Sequence, residues 1–523
     1  MATLYEEILL PSVQKRPGST AVVSHDEGGV ELTFRELKES SDAFALRLEA
    51  VGVRSGSRVA VVAPNSIGLV TALFGIWKLG AAAVLVAPIL RPPEIARLLS
   101  DCMPQLFLVS HLLAPEFADA LSNLYPDAPT VVFRGASLAA KPGLAANEPD
   151  GLTPEGTAAI LYTSGTTGFP KGVVLTTENL ASNTRSAAQI LDVLDIPQDD
   201  KVFSAVLPFF HSFGLTTCLL LPIAVGAKTV LFSAFNPRVL LAGAAKHRIS
   251  FLLLVPEMYR AVTASAVASW NQAVTSPPIP SLRACISGGS PLAWSVAIEF
   301  ERVFKVPIHQ GYGVTETSPV LSLLDLHSPP VPGCSGRAIP GVELVVLDEN
   351  LAEVPSGTDG ELAAAGPNVA WGYFRNPELT ESKFRVLALS GREPKRYYLT
   401  GDLACMDSEG RVFIRGRKDD LILVNGLNVY PAEIANALMQ FPKCADVAVG
   451  RILCEKHGQE PVALMVLREG ESATEDEVKS FAAGLLAPHK VPGRVVFVPE
   501  IKKSALQKPM VKEMLLELGF PAF

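Results

Sequence analysis

Residues 162–173 read YTSGTTGFPKGV, and their types and spacing suit the handling of a polyphosphate. Gly165, Gly168 and Gly172 let the backbone turn its N–H groups toward an anion, and the hydroxyls of Thr163, Ser164, Thr166 and Thr167 add donors. Lys171, which follows Pro170, adds a cation. Apolar AAILY before the stretch and VVL after it predict a loop between two strands. The GxxxxGK[ST] spacing of a Walker A loop is absent. A Ser/Thr/Gly-rich surface turn would have the same composition, so the stretch alone leaves both readings open.

Three further stretches carry chemically useful side chains. Ser287-Gly288-Gly289-Ser290-Pro291 lies between a predicted strand and a predicted helix, a tight turn whose N–H groups suit an anion or a flat base edge. Gly311–Ser318, GYGVTETS, combines Gly311 and Gly313, which allow close backbone approach, with the flat face of Tyr312, the hydroxyl of Thr315 and the carboxylate of Glu316. It also reads as a plain Gly-rich turn with a first-turn acid. His211 sits among aromatics in LPFFHSFG, residues 207–214, where burial preference alone makes it a packed core residue. Asp402 in Thr400-Gly401-Asp402 and Asp419 in Arg417-Lys418-Asp419-Asp420 read by themselves as turn residues.

TSGTTGFPKGV resembles the phosphate-loop signature of the adenylate-forming superfamily of acyl-CoA synthetases, peptide-synthetase adenylation domains and luciferases. The other stretches resemble that family's motifs, in its order, across most of the chain. GYGVTETSP is most similar to the medium- and long-chain fatty acid–CoA ligases. The resemblance implies an ATP-dependent acid–thiol ligase. A carboxylate attacks the α-phosphate of ATP, pyrophosphate leaves, and the acyl group then passes to CoA. Positive charge, oriented donors and Mg²⁺ are needed where two anions meet.

Roles follow from the resemblance residue by residue. The 163–168 loop and Lys171 hold the β- and γ-phosphates. Ser287, Gly288 and Gly289, with Gly311, Tyr312 and Gly313, line the adenine site. Thr315 meets the α-phosphate, and Glu316 and Thr167 are the Mg²⁺ candidates. Asp402 and Arg417 take the ribose. His211 stands beside the carboxylate and pyrophosphate. His211 and Ser212 also occupy the neighbourhood that supplies an amine-binding aspartate in amino-acid-activating relatives, so a hydrophobic acid, a fatty acid foremost, is expected. Asp419 is the hinge of a mobile last domain, Gly426 forms the wall of a pantetheine tunnel, and Lys508 bridges the acyl carboxylate and the α-phosphate.

Two departures stand out. Ala435 replaces the second glutamate of the family's YPxEVE, which here reads YPAEIA over residues 430–435. The tail Lys502-Lys503-Ser504-Ala505-Leu506-Gln507-Lys508-Pro509 replaces PKTxxGK: Gln507 lacks the positive-φ freedom of glycine, and Pro509 fixes φ and removes a donor. These departures motivate two rival readings. One is transfer of the acyl group to the phosphopantetheine arm of an acyl carrier protein. The other is a non-catalytic protein that binds acyl groups or nucleotides.

Elements must position these groups. At 523 residues the chain exceeds one core, and the resemblance divides it into an adenylate-forming domain, 1–418, and a lid domain, 419–523. Strand-like runs at Arg58–Ala63, Ala81–Val86, Val202–Pro208, Thr229–Phe232 and Phe251–Val255 alternate with helical stretches, which predicts an α/β fold. Thr33-Phe34-Arg35-Glu36 predicts a capping box and a helix toward Val51. Leu69–Leu90 predicts a buried helix running into a buried strand, since Lys78 and Pro88 argue against a membrane span. Residues 111–155 and 264–280 are expected as loops. VELVVLD, GELAAAG and RVFIRG predict a small β subdomain, and 430–438 and 475–486 predict helices in an α+β lid. Net charge of −8 without a basic block argues against a nucleic-acid partner. Seven scattered cysteines without a CxxC pair, and an acidic N-terminus without a secretory pattern, fit a cytoplasmic protein in a reducing compartment; a monomer or homodimer is expected.

Overall fold

Thr33 opens the first long helix as its residue types require. Its Oγ1 accepts from the Glu36 amide at 3.2 Å, and Glu36 Oε2 accepts from the Thr33 amide at 2.8 Å. The helix Phe34–Ala50 follows. The computed structural model describes residues 2–113, 115–139, 145–163, 170–192, 194–269, 277–389, 391–425, 427–454, 458–503 and 509–520. They form two compact units, one of Met1–Leu344 with Ala363–Leu399, the other of Val345–Leu362 with Thr400–Phe523.

The first unit contains two large sheets among the described residues. In one, parallel strands Val202–Ala205, Phe251–Leu254, Ala284–Ser287 and Ile308–Gly313 lie side by side in that order. In the other, parallel strands run in the order Thr157–Thr163, Ala82–Val86, Arg58–Val62, Leu106–Ser110, and Lys171–Thr176 pairs antiparallel with the first. Eleven of the twelve residues of helix Ile67–Lys78 are buried. A helix apolar on all faces belongs inside a core, and this one packs in a cluster with Val59, Val61 and Leu85 of one sheet and Phe203, Ala205 and Leu253 of the other. Helices Pro92–Cys102 and Pro115–Leu124 cover the far face of one sheet, and Pro237–His247, Pro256–Ser269 and Trp294–Phe304 cover the far face of the other. The expected α/β class, with a large N-terminal part and a smaller C-terminal one, is the fold observed.

Two expected loops are partly regular. Residues 111–155 hold the helix Pro115–Leu124 and the strands Thr130–Arg134 and Ser137–Leu138. Only Ala118 and Leu121 of that helix are fully buried, a face too narrow to give a clear period in the sequence. Residues 264–269 extend the helix that begins at Pro256. Among the described residues no helix is long and apolar enough to cross a membrane, and six of the seven cysteine side chains are buried.

In the second unit, Cys444–Cys454 pairs antiparallel with Gly458–Leu467, and Arg494–Phe497 pairs parallel with the latter. Alternation along the strands separates two faces. Val447, Val449, Ala463 and Met465 pack against helices Pro431–Leu438 and Glu475–Ala483, while Ala448, Val462 and Leu464 pack against Val511–Glu517. The expected strands at 343–347, 359–365 and 412–417 are present.

One histidine pair is expected to make the first unit acid-sensitive. His25 Nδ1 lies 3.2 Å from His247 Nε2. Burial, then His25, Lys246 and Lys228, push the His247 imidazole down to about 4 from its ordinary 6.5. Between those values the unfolded chain holds the extra proton, so stability falls as pH drops through that window. Denaturant midpoints measured from pH 7 to pH 4 are expected to fall less steeply in His247→Gln than in the parent; identical slopes would remove the pair from this role.

Candidate active site

Three of the four chemically equipped stretches leave the carboxyl ends of parallel strands in one sheet, the place where open α/β sheets bind ligands. LPFFHSFG follows Val202–Ala205, the Ser-Gly-Gly turn follows Ala284–Ser287, and GYGVTETS ends Ile308–Gly313. The fourth, the phosphate loop, joins Thr157–Thr163 to Lys171–Thr176 as expected, with Thr163 and Lys171 as register partners at its base. A Cβ on Gly172 would stand 3.1 Å from Ile160 and Tyr162 and 3.3 Å from Phe374, so glycine lets these strands close. Ser164, Gly165, Thr166, Thr167 and Gly168 lie outside the described residues, as do Gly426 and Lys508.

Side-chain contacts draw the three stretches together. Ser212 Oγ donates to Thr315 Oγ1 at 3.3 Å, and Thr216 Oγ1 donates to the Ser318 carbonyl at 2.8 Å. A Cβ on Gly288 would touch the Phe213 ring at 3.3 Å and the Gly311 carbonyl oxygen at 3.8 Å, so the Ser-Gly-Gly turn reaches both neighbours. Gly289 takes φ of +83°, which favours glycine. The Ser287 side chain is fully buried and its Oγ has no hydrogen-bond partner among the described residues. His211 is half-buried, its ring centroid 4.8 Å from that of Phe210, and it is not the packed core residue that its aromatic neighbours suggest. Tyr312, Gly313 and Thr315 are likewise half-exposed along the same strand end and turn.

Glu316 is the candidate metal carboxylate. Its Oε1 accepts from Tyr373 Oη at 2.8 Å, while Oε2 has no hydrogen bond among the described residues, and the side chain is partly exposed. One available carboxylate oxygen suits a hard cation such as Mg²⁺, which shares few protein ligands with substrate phosphates.

In the second unit, Asp402 and Arg417 are register partners on antiparallel strands, and Arg417 Nε bonds Asp402 Oδ1 at 2.8 Å. The Asp402 amide donates to Thr400 Oγ1 at 3.0 Å. Asp419 is exposed in a single turn, Lys418–Asp420, between two strands. Ala435 packs partly buried against the core of this unit.

Asn65 is a positioning residue that motif reading missed. It is 6% exposed at the end of strand Arg58–Val62. Its Nδ2 donates to the carbonyls of Ala205 and Leu207 at 3.0 and 2.9 Å, and its Oδ1 accepts from the Phe209 amide at 3.1 Å. One side chain therefore fixes the segment that carries His211. The available signal was the Pro64-Asn65 pair after an apolar strand, which reads as a turn. Asn65→Ala would take the side-chain partner from the Leu207 carbonyl and the Phe209 amide, while the Ala205 carbonyl keeps the Phe232 amide, with an expected loss of about 1–3 kcal/mol in chemical denaturation.

A family model described as AMP-binding enzyme matches residues 10–374, and one described as AMP-binding enzyme C-terminal domain matches 433–508. A long-chain-fatty-acid–CoA ligase of Escherichia coli O6:H1 is 31% identical over 93% of this chain and 90% of its own. The structure of ATP-bound MatB from Rhodopseudomonas palustris superposes with a TM-score of 0.85 at 26% identity, covering 99% of each chain. O-succinylbenzoate coenzyme A synthetase (MenE) from Bacillus subtilis, in complex with ATP and magnesium ion, superposes with a TM-score of 0.79 at 26% identity over 96% of this chain and 98% of its own. On its motifs, fold and these matches, the chain belongs to the AMP-binding enzymes, the adenylate-forming superfamily.

Proposed function

We propose that this chain is an ATP- and Mg²⁺-dependent acid–CoA ligase. It converts a hydrophobic carboxylic acid, a fatty acid foremost, to the acyl-adenylate and then to acyl-CoA. The observation that carries this reading is the Ser212–Thr315 contact, which ties the loop of His211 to the turn of Thr315 and Glu316. Groups suited to an acid and groups suited to an α-phosphate are thereby held side by side.

In the first step an acid oxygen forms a bond to the α-phosphorus of ATP as the bond to pyrophosphate breaks. Mg²⁺ supplies charge neutralisation on the phosphates when bound, and Glu316, with Thr167, would hold it. Thr315 donates toward the α-phosphate, and Lys171 with the 163–168 loop holds the leaving pyrophosphate. His211 orients the incoming carboxylate, and Lys508 neutralises the reacting anions. Tyr312 and the Ser287–Gly289 turn carry adenine, and Asp402 and Arg417 carry the ribose. In the second step the CoA thiolate attacks the acyl carbonyl and AMP leaves. Residues 419–523 act as a lid that turns at Asp419 between the steps and brings Gly426 to the pantetheine.

The E. coli relative's name supports a long-chain fatty acid, while MenE acts on o-succinylbenzoate, so the acid pocket varies within the family. The aromatic and apolar run LPFFHSFG, with no amine-binding aspartate, supports a hydrophobic acid here. The test is mass-spectrometric detection of thioester product from fatty and aryl acids, offered free CoA or a phosphopantetheinylated carrier protein. Acyl-CoA formation is the expected result. Product only on the carrier protein would overturn the acceptor, and product only from amino acids would overturn the substrate class.

A further inference from the structure

Glu316 is held by more than its own turn. Tyr373, whose phenol donates to Glu316 Oε1 at 2.8 Å, lies in the short strand Gly372–Tyr373. That strand pairs with Val173 and Val174, just past the phosphate loop. The Tyr373 side chain is 4% exposed, packs edge-on against Phe384 with centroids 5.7 Å apart, and its amide donates to Thr380 Oγ1 at 2.9 Å. Its phenol therefore has one orientation. Tyr398 Oη stands 3.4 Å away and, with the Tyr373 proton given to Glu316, serves as donor to it. The surrounding backbone is fixed as well. The Ala370 amide donates to the Glu316 carbonyl at 2.9 Å, and Asn368 Nδ2 donates to the Thr317 carbonyl at 2.8 Å. Arg396 donates to the carbonyls of Ala370 and Trp371 at 2.8 and 2.6 Å.

We propose that Tyr373 is a positioning residue that sets the metal selectivity of Glu316, an inference that rests on the reading of Glu316 as the Mg²⁺ carboxylate. A carboxylate with one oxygen bound by a phenol has a lone pair of that oxygen occupied and presents the other oxygen more readily to a cation. Mg²⁺ demands a small, near-ideal octahedral shell, whereas Ca²⁺ accepts both oxygens of one carboxylate in a larger, flexible shell. Tyr373 makes the second oxygen less available and orients the first. It thereby favours Mg²⁺ and disfavours Ca²⁺, as partners behind a metal ligand commonly tune the ligand.

The experiment is calorimetric binding of ATP with Mg²⁺ or with Ca²⁺, no acid present, for the parent, Tyr373→Phe and Glu316→Gln. Tyr373→Phe keeps the ring and its packing and removes the hydroxyl alone. Mg²⁺-dependent binding is expected to weaken roughly 10-fold, with Ca²⁺-dependent binding unchanged or tighter, so that the preference for Mg²⁺ falls by about the same factor. Equal weakening with both metals would mean general support of the turn and would overturn the proposal. If Glu316→Gln shifts metal dependence but Tyr373→Phe leaves the preference unchanged, the proposal alone fails. If Glu316→Gln leaves metal dependence unchanged, the reading of Glu316 fails and the proposal with it.

Discussion

Lys508→Ala is expected to lower acid-dependent ATP–pyrophosphate exchange by roughly 10²–10³-fold, the range for removing one preorganised group that meets developing charge. Thioester formation from preformed acyl-adenylate is expected to stay within a few-fold of the parent. The asymmetry follows from the chemistry of the two half-reactions. Adenylation brings a carboxylate against a triphosphate, so a cation between them lowers the barrier. Thiolysis starts from a mixed anhydride whose negative charge is smaller and whose leaving group is AMP, and the proposed lid presents another face to it. Single-turnover measurement of each half-reaction separates the two. Equal loss in both would contradict the assignment and direct attention to Lys502 or Lys503. The outcome also bears on the departures around this lysine. If Lys508 is inert in adenylation, Gln507 and Pro509 have moved it out of reach, and Gln507→Gly is the variant to test for recovery.

Gly313→Ala is expected to reduce exchange by about 10²-fold, the cost of displacing reacting groups by an ångström or so. A Cβ at Gly313 would lie 2.1 Å from the Pro319 carbonyl oxygen and 2.7 Å from its carbon. Both are backbone atoms, so no side chain can swing aside. The same carbonyl accepts from the Val314 amide at 3.1 Å and from Thr317 Oγ1 at 2.8 Å. Its displacement must shift the turn that carries Thr315 and Glu316. The strand beneath is held elsewhere, by the pairing of Cys285, Ile286 and Ser287 with Ile308, His309 and Gln310, so the protein should still fold. Gly18→Ala is the matched control, since a Cβ there meets nothing within 4 Å. Kinetics and thermal unfolding of both variants check the expectation; a Gly313→Ala protein with parental exchange would show that the turn tolerates the shift.

What could be read in the sequence was local. The capping box of Thr33 and Glu36 spans one helical turn, and the hairpin around the phosphate loop is announced by apolar runs on either side of a Gly-rich stretch. Helix Ile67–Lys78 declared its burial by being apolar on every face. The groups that position the site were not legible, because their partners are far away in the chain. Asn65 bonds a segment about 140 residues on, and Tyr373 reaches back 57 residues to Glu316. Neither has a spacing rule, since the sheet order that unites them is a tertiary fact. Asn65 follows Pro64 after an apolar run, a turn-like pattern, and Tyr373 belongs to none of the motifs. The helix at Pro115–Leu124 was hidden for a different reason: its buried face is two residues wide.

Acid-dependent exchange of pyrophosphate into ATP, with Mg²⁺, tests the central claim most directly. The panel runs from acetate to long fatty acids, with aryl acids and amino acids alongside. The account predicts exchange with a bounded window of hydrophobic acids and none with amino acids. ATP binding without exchange for any acid in the panel would contradict it and favour a protein that binds nucleotide without forming an adenylate.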